Sequence, residues 1–127
     1  MVDKKIIHSD NAPAAIGPYS QAVQVANLVF MSGQIPLNPE TMEVVTESFE
    51  AQTVQVFENL KAVAEAAGGS LENVVKLNIY MPDLGNFGKV NEVMERYFSA
   101  PYPARAALGV KELPKGVDVE IEGILAL

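Results

Sequence analysis

Val74-Val75-Lys76-Leu77-Asn78-Ile79-Tyr80-Met81-Pro82 is the stretch around which the rest of the chain organises. Its residues alternate, with Val75, Leu77, Ile79 and Met81 on one side and Lys76, Asn78 and Tyr80 on the other. That two-residue period belongs to a strand with one face buried. Pro82 then withholds the backbone donor needed to continue the ladder. Helical patterns flank the strand on both sides. Upstream, Phe49, Val56, Phe57, Leu60, Val63, Ala64 and Ala67 recur at helical spacing from about Ser48, and Gly68-Gly69 supplies a C-terminal stop. Gln52, Gln55, Glu58, Asn59 and Lys61 lie mostly off this stripe, so the helix is expected to cover one face of a sheet. Downstream, Asp83 is placed to cap a second helix through Phe98, with Phe87, Val90, Met94 and Tyr97/Phe98 inward and Pro101 and Pro103 closing it.

Working outward, Ser20 to Ala26 and Leu28 to Gln34 are β-rich runs around Asn27, a hairpin pattern. Two prolines and an Asn between Ile35 and Thr41 take the chain out of the sheet as a loop. Ala104–Val110 and Val117–Ala126 supply two further strands, and a short strand is expected at Lys5–His8. The order β-β-α-β-α-β-β implies an α+β fold in which two helices pack on one face of a mixed sheet. The local rule would join residues 104–110 and 117–125 as a hairpin across Lys111–Gly116. The other face is left open, with Tyr80, Asn78, Arg105 and the even-numbered Glu residues expected on it, a surface that an oligomer would cover.

Composition sets the outer bounds. With 127 residues, 49% of them hydrophobic and 20% charged, the chain has the length and balance of one globular domain, expected to span 1–127. The formal charge of −7 repels nucleic acid and anionic membranes, and basic residues do not cluster to offset it. With no Cys there are no disulfides, thiolate metal sites or Cys nucleophiles. No leader-like apolar segment follows the start, and no run approaches the roughly 18 apolar residues of a spanning helix, so a cytoplasmic location is expected. The single His8, expected at the surface or on an edge strand, and scattered Glu residues offer no metal-ligand spacing. Ser32 beside Gly33 lacks the G-x-S-x-G elbow and a nearby His that a serine hydrolase needs.

Charges inside apolar strands need a reason. In Pro103-Ala104-Arg105-Ala106 the guanidinium offers a planar fork that matches a carboxylate, and in Glu120-Ile121-Glu122 a carboxylate can exchange protons with water. Together they suggest a site for a small acid. The plainer reading pairs Arg105 with Glu120 or Glu122 as a structural ion pair buried between subunits. Glu120 and Glu122 share parity and therefore a face, so the pattern does not choose between them.

Gly17-Pro18-Tyr19-Ser20-Gln21-Ala22, Met31-Ser32-Gly33-Gln34-Ile35-Pro36, the helix from Gln52 to Gly68, Asn91, Pro103-Ala104-Arg105-Ala106, Leu113-Pro114-Lys115 and Glu120-Ile121-Glu122 closely resemble the RidA/YjgF family nearly end to end. The resemblance implies a chorismate-mutase-like α+β fold with another strand inserted between the last two, and a homotrimer with clefts between subunits. It also implies cofactor-independent hydrolysis of 2-imino or enamine acids to 2-oxo acids and ammonia, with no metal. By position, Arg105 would hold the substrate carboxylate and Glu120 would sit by the attacking water. Tyr19, Phe87 and Asn91 would shape the cleft, and Ser32 and Gly33 would present backbone groups. Tyr19 and Phe87 are also open to a packing role, and Asn91 to a backbone bond near a helix start. Ala107, which the resemblance also places among the substrate-binding residues, stands where many bacterial members carry Cys. Two other readings remain beside hydrolysis: a non-catalytic module that senses short carboxylic acids, and an endoribonuclease or translation inhibitor, against which the charge argues.

Overall fold

The computed structural model describes residues 2–127. Its strands are β1 (Lys5–Ile7), β2 (Ala22–Val25), β3 (Leu28–Gln34), β4 (Val74–Met81), β5 (Ala104–Gly109) and β6 (Glu120–Ala126), with helices α1 (Phe49–Ala66) and α2 (Phe87–Tyr97). All six strands form one sheet in the order β1-β2-β3-β6-β4-β5. Only β4 and β5 run parallel. Parallel neighbours need a crossover, and α2 is that crossover, which is why β5 and β6 do not form the hairpin that their nearness in sequence suggests. β4 separates them, as the family resemblance implied.

Both helices cover one face. Ser48 caps α1 by accepting from the Ala51 amide, and Gly68, at φ 93°, lets the chain leave in a conformation open to glycine. Val56, Phe57, Leu60 and Val63 are sealed against Leu77, Ile79, Ile121 and Leu125 of the sheet. Each fully buried apolar side chain contributes about 1.5–3 kcal/mol.

Three sequence expectations change in the fold. Val75 faces solvent and Val74 is buried in its place, because the β4–β6 register shifts between Val74 and Lys76. A bulge there resets the alternation. Gln52 and Asn59, expected off the stripe, are buried: Asn59 Nδ2 donates to Leu37 O at 3.0 Å and Gln52 Nε2 to Val45 O at 3.0 Å. The loop after β3 carries backbone carbonyls that need donors under the helix, and these amides supply them. Asp83 caps a single 3₁₀ turn, accepting from Gly85 N at 2.8 Å, and α2 starts only at Phe87. Val93 also joins the buried face of α2.

Candidate functional site

The residues singled out in the sequence fall into two groups on opposite faces of the sheet. Arg105 is the register partner of Leu77, whose side chain lies wholly beneath the helices. It therefore points to the helix side, not to the open face expected for it. There its Nη1 donates to Asn91 Oδ1 at 2.6 Å and lies 3.3 Å from Met94 Sδ. The guanidinium carbon sits 4.7 Å from the Phe87 ring centroid, a cation–π contact worth about 0.5–1 kcal/mol at an exposed site. Asn91, Phe87 and Met94 all come from α2, whose one-turn spacing brings them to β5 together. Asn91 thus bonds the guanidinium rather than backbone at a helix start.

Among the described residues no carboxylate pairs with Arg105. The ion pair with Glu120 or Glu122 does not form within the chain, since those carboxylates lie across the sheet. Its exposed guanidinium edge borders a cleft of about 420 Å³ lined by Asn91, Met94, Glu95, Tyr102, Pro103 and Arg105. Ala107, two residues along β5, shares the helix-side face and packs at the margin of the core.

The second group gathers at the opposite face. Glu120 opens β6 as the register partner of Tyr80, between the buried Val119 and Ile121. With Tyr19, Ser32, Gly33, Pro114 and Glu122 it borders a cleft of about 530 Å³. β3 carries one extra residue against β6: Met31 pairs with Gly123 and Gln34 with Ile121, so Ser32 and Gly33 together oppose Glu122. Such a bulge locally opens the ladder and re-aims the strand beside a site. The Glu120 carboxylate fills the space where a Cβ at residue 33 would stand. Ser32 is less free than the sequence suggested. Its hydroxyl donates to Ser20 O at 2.6 Å and its amide to Gln21 O at 2.9 Å, tying the Tyr19 loop to β3.

Gln21 clamps the other end of that loop. Its buried amide accepts from Ser9 N at 2.6 Å and donates to Pro13 O at 2.8 Å. Tyr19 is left 49% exposed on the rim. His8 lies at the surface, 2.9 Å from Asp10 and away from both groups.

Electrostatics distinguish the two sides. Burial, with the Glu122 charge adding to it, pushes the Glu120 carboxyl above its ordinary range. Tyr80, which donates to Glu122 Oε1, is pushed up to about 12, first by that hydrogen bond and then by burial. The sequence placed Tyr80 on the open face but gave no sign of this contact, because nothing local shows that β4 lies beside β6. Met94, read only as a core residue, also reaches the Arg105 group. Among the described residues no cluster of His, Asp or Glu is arranged to hold a metal, and no helix is long and apolar enough to cross a membrane.

The family model described as Endoribonuclease L-PSP matches residues 9–127. A 2-iminobutanoate/2-iminopropanoate deaminase of Dermatophagoides farinae is 48% identical over 127 residues, covering 100% of this chain and 99% of that protein. The crystal structure of RidA from an Antarctic Psychrobacter superposes with a TM-score of 0.93 at 57% identity, covering 97% of this chain and 99% of that one. E. coli TdcF with bound serine superposes with a TM-score of 0.92 at 41% identity, covering 97% and 98%.

Proposed function

The chain belongs to the RidA/YjgF family, and from that premise we propose that it hydrolyses 2-imino acids such as 2-iminobutanoate and 2-iminopropanoate to 2-oxo acids and ammonia. The observation that carries the reading is Arg105: a guanidinium steadied by Asn91 and Phe87, open to a cleft and, among the described residues, without a carboxylate partner. A substrate carboxylate supplies that partner through two parallel charge-assisted bonds.

The protonated imine carbon is electrophilic, so the protein has to place a water and manage one proton. Water adds to the carbon while its proton passes to Glu120. Glu120 returns that proton to the nitrogen of the carbinolamine, takes the hydroxyl proton as the C–N bond breaks, and gives it up to the departing ammonia. A carboxyl raised above its ordinary range suits both directions of transfer near neutral pH. No cofactor takes part in these steps.

Arg105 and Glu120 lie on opposite faces of one sheet, so one chain cannot offer both to one small acid. We propose a homotrimer in which the Arg105 edge of one copy abuts the Glu120 face of the next. Exposed Ile6 and Phe30 on the open face support this, being register partners of Val23 along one row of the sheet. A soluble monomer seldom leaves such a row uncovered.

The endoribonuclease wording of the family description finds little support in this chain's chemistry. Its charge is −7, and Lys89 and Arg96 of α2 are already engaged by Glu50. The deciding experiment generates an imino acid in situ with an amino-acid oxidase or threonine dehydratase and follows its decay. The protein is expected to accelerate loss of the imine in proportion to its concentration. Unchanged decay alongside ligand-induced thermal shifts with 2-oxo acids would select the non-catalytic carboxylate sensor.

A further inference from the structure

Two glutamates face the same cleft in different surroundings. Glu122 Oε1 accepts the Tyr80 hydroxyl hydrogen. Glu120, although Tyr80 is its register partner, takes no hydrogen bond from any described side chain and backs onto Gly33. The titratable groups beside Glu120 are few: Tyr80 on β4, Glu122 on β6 and Tyr19 from the loop before β2, with Ser32, Gly33 and Gln34 of β3 and apolar side chains completing the cleft. Among the described residues no basic side chain borders this cleft.

We propose that Tyr80 is a positioning residue that chooses between the two glutamates: its hydroxyl engages Glu122 and holds that side chain in place, and leaves Glu120 as the carboxylate that exchanges protons with water. An O–H donor bonded to a carboxylate oxygen fixes both the side-chain rotamer and that oxygen's lone pair. The Gly33 bulge serves the other half of the division, giving Glu120 room to stand free of donors. The raised position of the Glu120 carboxyl, to which the Glu122 charge contributes, accords with it. Glu120 and Glu122 are indistinguishable by parity in the sequence, and the neighbouring strand breaks the tie.

The assignment concerns proton placement, and only its consequence for turnover rests on the deaminase reading. Carboxyl-carbon NMR titration of the glutamate-labelled protein tests it without any activity. In Glu122→Gln the Glu120 midpoint is expected to fall as the neighbouring charge is removed, and to stay above the ordinary carboxylate range because burial is the larger cause. In Tyr80→Phe, which deletes a single oxygen, it should fall by less, as the Glu122 carboxylate is no longer held beside it. A Glu120 curve unchanged by Tyr80→Phe overturns the role of Tyr80; one unchanged in both variants shows that the carboxylates are not coupled at all. In the imine assay the acid limb of kcat/KM should move to lower pH in both variants. Failure of the wild-type chain to hydrolyse imines, with titrations as expected, would sink the deaminase reading and leave the Tyr80 assignment standing.

Discussion

The carboxylate of Glu120 occupies the space that a side chain at Gly33 would need. The two residues come from β6 and from the bulge of β3 opposite Glu122, so the contact links the proposed proton acceptor to a backbone irregularity in another strand. Glycine at 33 is there for close approach. It is not among the residues of positive φ.

Gly33→Ala should therefore leave the fold largely intact and disable the site, because the flexible Glu120 carboxylate swings away more cheaply than the backbone moves. A displacement on the order of 1 Å costs roughly 100-fold in rate. Steady-state imine hydrolysis should show that loss with a melting temperature near wild type; full activity would remove Glu120 from the proton-transfer step.

Glu120 costs the fold stability at neutral pH. Its carboxyl is raised in the folded state, so between the unfolded value and the folded one the native chain binds more protons, and stability falls as pH rises through that window. Below the unfolded value the penalty is absent. Glu120→Gln is accordingly expected to melt higher than wild type at pH 7, with the gap closing towards pH 4, in calorimetric scans at both pH values. A gap independent of pH would refute the charge as its cause.

Arg105 is exposed on an edge strand, so Arg105→Ala should fold normally while losing the anchor. Loss of two charge-assisted hydrogen bonds at about 1.5–3 kcal/mol each corresponds to at least a hundredfold fall in kcat/KM. Arg105→Lys should recover only part of it, since an ammonium keeps the charge but not the planar fork. Comparable kinetics for the Lys variant and wild type would argue against two-point recognition of a carboxylate.

Phe30 is 45% exposed in the isolated chain. Phe30→Glu should not disturb the core, but it places a charge in the surface proposed to join subunits. Light scattering after gel filtration should show three chains for wild type and one for the variant, with imine hydrolysis lost in parallel because each site would lack its second wall. A monomeric variant with undiminished turnover would place a whole site in one chain.

Much of the fold was legible locally. The α1 stripe, the Ser48 start, the Gly68 stop, the β2–β3 hairpin and the alternation of β4 from Leu77 to Met81 all follow from contacts within a few residues of each other. Val75 was misplaced because a bulge is a property of two strands and leaves little trace in one. Gln52 and Asn59 read as solvent-facing because their acceptors, Val45 O and Leu37 O, belong to a loop whose course over α1 no local pattern gives.

For the site, the sequence by itself determined the candidates, an Arg in an apolar strand and two Glu of one parity, and the motifs that identify the family. Tertiary structure alone decided their arrangement. The α2 crossover inserts β4 between β5 and β6, and pairing with Leu77 turns Arg105 to the helix side while pairing with Tyr80 leaves Glu120 on the open face. Side-chain parity fixes which residues of one strand share a face, but the relative facing of two strands depends on the register each adopts with a common neighbour. That register is set by packing across the sheet, and the same packing brings the Tyr80 hydroxyl to Glu122 and leaves Glu120 unbonded over Gly33.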